Sequence, residues 1–314
     1  MTAGADTAAS RRVPRILCIG MPIRDLLFRV GDFPSGGSRN PVSHFDEICG
    51  GNGLNGAISI ARLGGRAALT GPIGESPTSN GIILERMALE GIDGSGLVHL
   101  RGAVTPTSAV VIDSSGERTN FTYRDPRLWE VRLPDAATLL QDCDAILTEA
   151  RCAAFAAALY AEARKRGIPV VVDIDSAISL SDILLTTASH LIFSSEGLQA
   201  TAGVADDAEA LRKIAKVTPA FLAATRGPNG AVWLDEQGLL RETAGFVVRA
   251  VDTLGAGDVF HGGFTLAITE GMDLPGALQF AAAAAALKCS RHGGSLACPQ
   301  RLEVVEFLNS NPEA

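Results

Sequence analysis

The chain has 314 residues, 46% apolar and 20% charged, a balance that suits a soluble globular protein with a large core. Its formal charge of −8 argues against nucleic acid or an anionic membrane as a partner. It leaves an anionic small molecule open, because charge inside a cleft is set locally.

The N-terminal residues 1–14 are small and polar and read as a disordered tail. The apolar run after Arg11-Arg12, "ILCIGMPI", is short and is followed by Arg24 and Asp25, so it reads as a first strand rather than a secretion signal. Further short apolar runs predict strands over Ile16–Ile19, Ala67–Thr70, Ala145–Thr148, Val170–Asp173, Leu191–Phe193 and Ala220–Ala224. Helical periodicity falls between them, over Gly53–Leu63, Asn80–Glu90, Cys152–Arg166 and Asp207–Lys216. Buried strands alternating with helices imply an α/β fold over residues 15–314, its mostly parallel sheet covered on both faces.

Two segments break this rhythm. Residues 26–48 carry Pro34, Gly36, Gly37 and Pro41 without helical periodicity, and residues 107–123 alternate around the turn signal "DSSGER". Both fit extended chain that builds a second, small sheet acting as a lid. The six cysteines contain no C-x-x-C pair and several lie in apolar runs, which reads as reduced core thiols in a cytoplasmic protein. The alanine run Ala281–Ala286 is too short to span a bilayer.

"EICGGNGLNGAISIARLGG" contains a formal G-x-G-x-x-G at Gly51, Gly53 and Gly56. A dinucleotide site needs a hydrophobic strand directly before those glycines, and "SHFDEIC" is a poor one. Asn52 and Asn55, three residues apart, share one helix face, and their amides suit sugar hydroxyls.

The strongest signal is "AVDTLGAGDVFHGGFTLAITEGM", Ala250 to Met272. A ligand can approach the backbone of Gly255, Ala256 and Gly257 closely. The unpaired N–H groups and positive end of the following helix make an anion hole suited to phosphoryl transfer. Asp258, in the first helical turn, is placed to accept a proton from an attacking alcohol. The helix end is expected to lower its pKa and make it a weak base.

The string Asp252-Thr253-Leu254-Gly255-Ala256-Gly257-Asp258-Val259-Phe260 resembles the signature of the ribokinase-like (PfkB) carbohydrate kinase family, and the likeness extends over about Ile16 to Leu308. The resemblance implies a ribokinase-like three-layer α/β sandwich with a β-sheet lid, a homodimer formed through that lid, and ATP with Mg²⁺ as cofactors. Gly50, Gly51, Asn52 and Asn55 match the family's second signature and would bind the sugar, with Asp25 on its hydroxyls. Asp25 is placed at the C-terminal end of the first strand, the usual ligand crevice. Thr225, Arg226, Gly227 and Gly230 match its phosphate turn, where Arg226 would add a charge. Gly293-Gly294 matches a loop near adenine and a monovalent cation, which puts K⁺ at Asp252 and Thr253. The family's N-x-x-E is replaced by Ser194, Ser195 and Glu196, leaving Glu196 or Asp173, with Asp175 on the same strand end, as Mg²⁺ candidates.

"FSSEGL", "GDVFHGG" and "ALKCSRHGG" together resemble the sulfofructose kinase branch. On that resemblance Arg39 and Arg151 would hold an anionic group of the sugar. The alternative is a solvated Arg39 and an Arg151 paired with Glu149 or with an acid on a helix. The expected activity is an ATP-dependent sugar kinase acting on a ketose or anionic sugar such as sulfofructose. Ribokinase, fructokinase and 2-keto-3-deoxygluconate kinase are the alternatives, and a nucleoside kinase or a non-catalytic sensor is disfavoured.

Overall fold

The computed structural model describes residues 12–33, 36–37, 39–114 and 118–312. Most of the disordered tail assigned above, half of the "DSSGER" turn and Pro34 lie outside the described residues. Arg12 is described, and it donates to Asp144 Oδ1 at 2.5 Å and to the Asp142 carbonyl at 3.2 Å.

The strands are β1 (Arg15–Ile19), β2 (Ile23–Arg29), β3 (His44–Gly50), β4 (Arg66–Gly74), β5 (Asp93–Leu100), β6 (Thr107–Ile112), β7 (Arg118–Tyr123), β8 (Ala145–Glu149), β9 (Val170–Ile174), β10 (His190–Ser194), β11 (Phe221–Thr225), β12 (Ala231–Leu234) and β13 (Leu240–Thr243). The helices are α1 (Asn52–Arg62), α2 (Pro77–Leu89), α3 (Ala136–Leu139), α4 (Ala153–Lys165), α5 (Leu184–Thr187), α6 (Ser195–Ala202), α7 (Asp207–Ile214), α8 (Ala256–Thr269), α9 (Leu274–Cys289) and α10 (Arg301–Ser310).

Nine strands form one sheet in the order β13-β12-β11-β10-β9-β8-β1-β4-β5, parallel except at the β11–β12–β13 edge. Alternation along the strands sorts the core into two faces. Ile16 and Cys18 point with Leu147 toward α1, α8 and α9, whereas Leu17 and Ile19 point with Phe193 toward α4–α7. The result is the three-layer sandwich expected. α8 is apolar almost all round, from Val259 to Ala267, as a helix enclosed by its own layer must be. Gly263 lies against Ala281 of α9, so small residues let the two helices approach closely. This packing fixes the N-terminus of α8.

The four remaining strands form a separate sheet, β3-β2-β6-β7, antiparallel except for the β2–β6 pair. Both irregular segments of the sequence supply it. It begins earlier than expected, at Ile23, so Asp25 lies inside a lid strand rather than at the end of β1. The strand before the Gly51 motif is the antiparallel lid strand β3, largely exposed at its start, and not the hydrophobic parallel core strand that a βαβ dinucleotide unit needs.

The glycines of that motif serve packing. Gly51 has φ 95, and a Cβ there would overlap the Met21 carbonyl. A Cβ on Gly53 would come within 2.8 Å of Gly20 Cα, and one on Gly56 within 2.7 Å of Leu147 Cδ2. They seat α1 against β1 and β8, which aims the start of α1 along the C-terminal edge of the sheet.

Candidate active site

The ends of β8, β9, β10 and β11, the starts of α1 and α8, and the lid converge at the C-terminal edge of the parallel strands. This is where an open α/β sheet leaves a crevice.

Asp258 occupies the first turn of α8, and its Oδ2 accepts from Asn55 Nδ2 at 2.7 Å. Asn55 Oδ1 accepts in turn from Ser295 Oγ at 2.7 Å. Asn52 Nδ2 reaches Asp173 Oδ2 at 3.0 Å. The two asparagines therefore do share a face, but each holds a carboxylate rather than standing free. Asn52, Asp173, Asp258 and His261 line a small cavity of about 10 Å³. His261 Nδ1 lies 2.7 Å from the Gly257 carbonyl, so that nitrogen carries the proton. Its Nε2 is 3.5 Å from Asp173 Oδ1.

Burial, then the charge of nearby Asp173, raises the Asp258 pKa from 3.8 to about 7, against the hydrogen bond from Asn55. This reverses the expectation of a depressed value. Desolvation and converging carboxylates outweigh the helix end, and the result is a carboxylate that changes charge near neutral pH.

Gly255, the N-cap of α8, has φ 79, and a Cβ there would lie 3.2 Å from Ser295 N. Its glycine is required by the turn and by that neighbouring loop. Gly257 differs, since a Cβ there would meet open space. Ala256 N–H bonds the Thr253 carbonyl at 3.3 Å, while the N–H groups of Gly257 and Asp258 have no partner among the described residues. The unpaired donors at this helix start are thus those of Gly257 and Asp258, with the helix dipole behind them.

Asp25 lies in register with Ser108 and Thr122 across β2, β6 and β7, giving the lid a polar row on one face. The two hydroxyls are 2.9 Å apart. A Cβ on Gly50 would overlap the Asp25 carboxylate, so this glycine makes room for that side chain. Burial raises the Asp25 pKa to about 7, with Arg124 opposing. Arg124, at the end of β7, acts electrostatically on both Asp25 and Glu149 yet makes no direct ion pair among the described residues. The sequence reading did not assign it.

Other expected ligands are committed elsewhere. Arg151 bonds Glu149 Oε2 (Nε at 2.9 Å) and both oxygens of Asp175, at 3.2 and 3.1 Å, which is the alternative weighed above. Arg39 is exposed on the lid connection. Arg226 pairs with Asp207 at 2.8 Å and Glu242 at 3.2 Å. Thr225, Arg226, Gly227 and Gly230 form the β11–β12 hairpin turn. Gly227 opens to free space, while Gly230, at φ 80, is pressed against Thr243 and Gly245.

Mg²⁺ characteristically uses one or two carboxylates plus substrate phosphates. Glu196, exposed in the first turn of α6 at the end of β10, suits that pattern. Asp173 is less suited, because Asn52 already holds its Oδ2 and it lies beside Asp258. The described residues hold no group of three or more metal-ligating side chains.

Asp252 does not suit K⁺. Its Oδ1 accepts from Leu254 N at 2.8 Å, and its Oδ2 accepts from Gly293 N at 3.0 Å and Gly294 N at 2.9 Å. Gly293, expected at the nucleotide, is thereby a clamp on Asp252. Arg118 of the lid donates to Thr253 Oγ1 at 3.3 Å.

No helix among the described residues is long and apolar enough to cross a membrane, and all six cysteines are free thiols. The family described as pfkB family carbohydrate kinase matches residues 13–301. The ribokinase of Haemophilus influenzae is 28% identical over 299 residues, 90% of this chain and 95% of its own. A crystal structure from Agrobacterium tumefaciens, provisionally named a ribokinase, is 33% identical with a TM-score of 0.90, covering 96% of this chain and 99% of its own. The Arabidopsis thaliana ribokinase, solved with ribose and ATP, shares the fold at 21% identity with a TM-score of 0.85, covering 94% and 99%. Other relatives carry the names fructokinase and 5-dehydro-2-deoxygluconokinase. The likeness reaches the family and the fold, not the sulfofructose branch.

Proposed function

The chain belongs to the pfkB family of carbohydrate kinases, and on that premise we propose that it moves the γ-phosphoryl group of ATP to a terminal hydroxyl of a small sugar held beneath the lid. The observation that carries this reading is the Asn55–Asp258 bond, which sets a carboxylate of pKa about 7 beside two unpaired backbone N–H groups. The sugar oxygen bonds to the γ-phosphorus as the bond to the β–γ bridging oxygen breaks. Asp258 takes the hydroxyl proton and ADP leaves. The N–H groups of Gly257 and Asp258, with the α8 dipole, stabilise the charge on the equatorial phosphoryl oxygens. Asp25 and the Ser108–Thr122 hydroxyls receive the other sugar hydroxyls. Thr225 and Gly227 border the nucleotide phosphates. Mg²⁺, held on Glu196 and the phosphates, would supply charge neutralisation there.

An acidic sugar, such as a sulfonated ketose, is supported by Arg124 rather than by Arg151. Arg124 has no direct ion pair to break among the described residues, whereas Arg151 already holds two carboxylates. The outer face of the lid carries Phe45, Phe121 and Tyr123, the last two 62% and 54% exposed, which suits a second copy packing lid to lid.

The test is coupled ADP release with Mg-ATP across ribose, fructose, fructose phosphates, sulfofructose, 2-keto-3-deoxygluconate and a nucleoside. Sugar-dependent release supports the reading. Release with the nucleoside alone overturns it.

A further inference from the structure

Lys288, near the end of the alanine-rich helix α9, is 0% exposed. A cation so enclosed is costly unless its charge is met. Its Nζ donates to the Asp252 carbonyl at 2.6 Å and lies 3.3 Å from Asp252 Oδ1. The remaining contacts of that carboxylate are the three backbone N–H groups of Leu254, Gly293 and Gly294. Both carboxylate oxygens are therefore taken by donors, and Arg118 brings a second cation to Thr253. A bare monovalent cation needs free oxygens at this place and would face a fixed ammonium.

The same contacts lead to the reacting end. Gly294 joins Asp252 to Ser295, Ser295 joins Asn55, and Asn55 holds Asp258. Gly255 abuts Ser295 from the other side. The placement of Asp252 therefore fixes both the anion-hole turn and the proposed base.

We infer that Lys288 is a tethered monovalent cation, a positioning residue that neutralises Asp252 and locks the 252–258 and 293–295 loops together, so that the protein works without K⁺. The inference rests on the kinase reading for its effects on turnover and ADP binding, but not for its effect on melting.

The experiment compares the full chain in tetramethylammonium buffer with K⁺, Na⁺ or NH₄⁺ added at constant ionic strength. Melting temperature, ADP affinity and sugar-dependent turnover are read in parallel. For the wild type all three should stay within about twofold or its thermal equivalent, since an ion with no site on the folded state cannot stabilise it. Lys288→Met should weaken ADP binding and turnover by about tenfold or more, and NH₄⁺, K⁺ or methylamine should restore part of both. Lys288→Arg, which keeps the charge, should lie between the two. A wild type whose ADP affinity or turnover rises about tenfold with K⁺ overturns the inference. So does a folded Lys288→Met that keeps full turnover with no cation response. If Lys288→Met does not fold, the wild-type cation series and Lys288→Arg decide. Loss of kinase activity in every arm would count against the kinase reading alone, because the melting data still judge the cation.

Discussion

Asp258→Asn separates chemistry from stability. The substitution keeps the side-chain shape and an acceptor oxygen for Asn55 Nδ2, which reaches it at 2.7 Å, but removes the base. Turnover should fall about 10²–10⁴-fold, the usual worth of a general base, with ADP affinity retained. Stability should move the other way. A carboxyl whose pKa rises from 3.8 unfolded to about 7 folded binds its proton more tightly in the folded state. Its ionisation therefore lowers stability progressively as pH climbs through that interval, and the cost is complete above the folded value. The gap between 3.8 and about 7 is worth at most about 4 kcal/mol. Asp258 is only partly buried, so solvent screening reduces this to about 1–2 kcal/mol. The variant should then melt about 1.5–3 °C above the wild type at pH 8, with the difference vanishing below pH 4. Thermal melting of both proteins from pH 4 to 8, with turnover at pH 7.5, reads all of this. Turnover within about tenfold of wild type, or a melting difference independent of pH, refutes the reasoning.

The same base predicts a wild-type kcat/KM that climbs with pH and levels above about 7. Asn55→Ala removes the donor that favours the charged carboxylate, so that limb should move up by about one pH unit; an unmoved limb would mean Asn55 does not tune the base. Gly255→Ala must hold φ 79 against Ser295 and should cost about 1–2 kcal/mol in denaturant unfolding, whereas no loss would mean the turn relaxes freely. Arg124→Ala should raise KM for an acidic sugar about tenfold or more over a neutral one, and Arg151→Ala should not discriminate; the reverse pattern would return the anion site to Arg151.

The layer architecture was legible because β1, β4 and β8–β11 are short apolar runs and the helices between them are periodic. β5 escaped because "DGSGLVHL" carries two glycines and little alternation. β12 and β13 are four residues each, below what periodicity resolves. Asp25 was assigned to the wrong strand because β2 starts three residues after Gly20 and the Gly20–Pro22 break does not say that the chain changes sheet there. The glycine turn into α8 was readable since its parts are contiguous. The bond that holds the Asp258 carboxylate was not, because Asn55 and Asp258 are 203 residues apart. The pairing of Arg151 and Arg226 likewise depends on Asp175, Asp207 and Glu242, which only the fold brings close. Lys288 did leave a signal, a lone charge closing the run "FAAAAAALKC", where a buried lysine demands a partner.

The most direct test of the central claim is to identify the product. The sugar that releases most ADP is incubated with Mg-ATP and either wild type or Asp258→Asn, and the mixture is followed by phosphorus NMR and mass spectrometry. The account predicts one terminal phosphomonoester per ADP with wild type and almost none with the variant. ADP formed without a sugar phosphate, or the same ester formed at the same rate by both proteins, would contradict it.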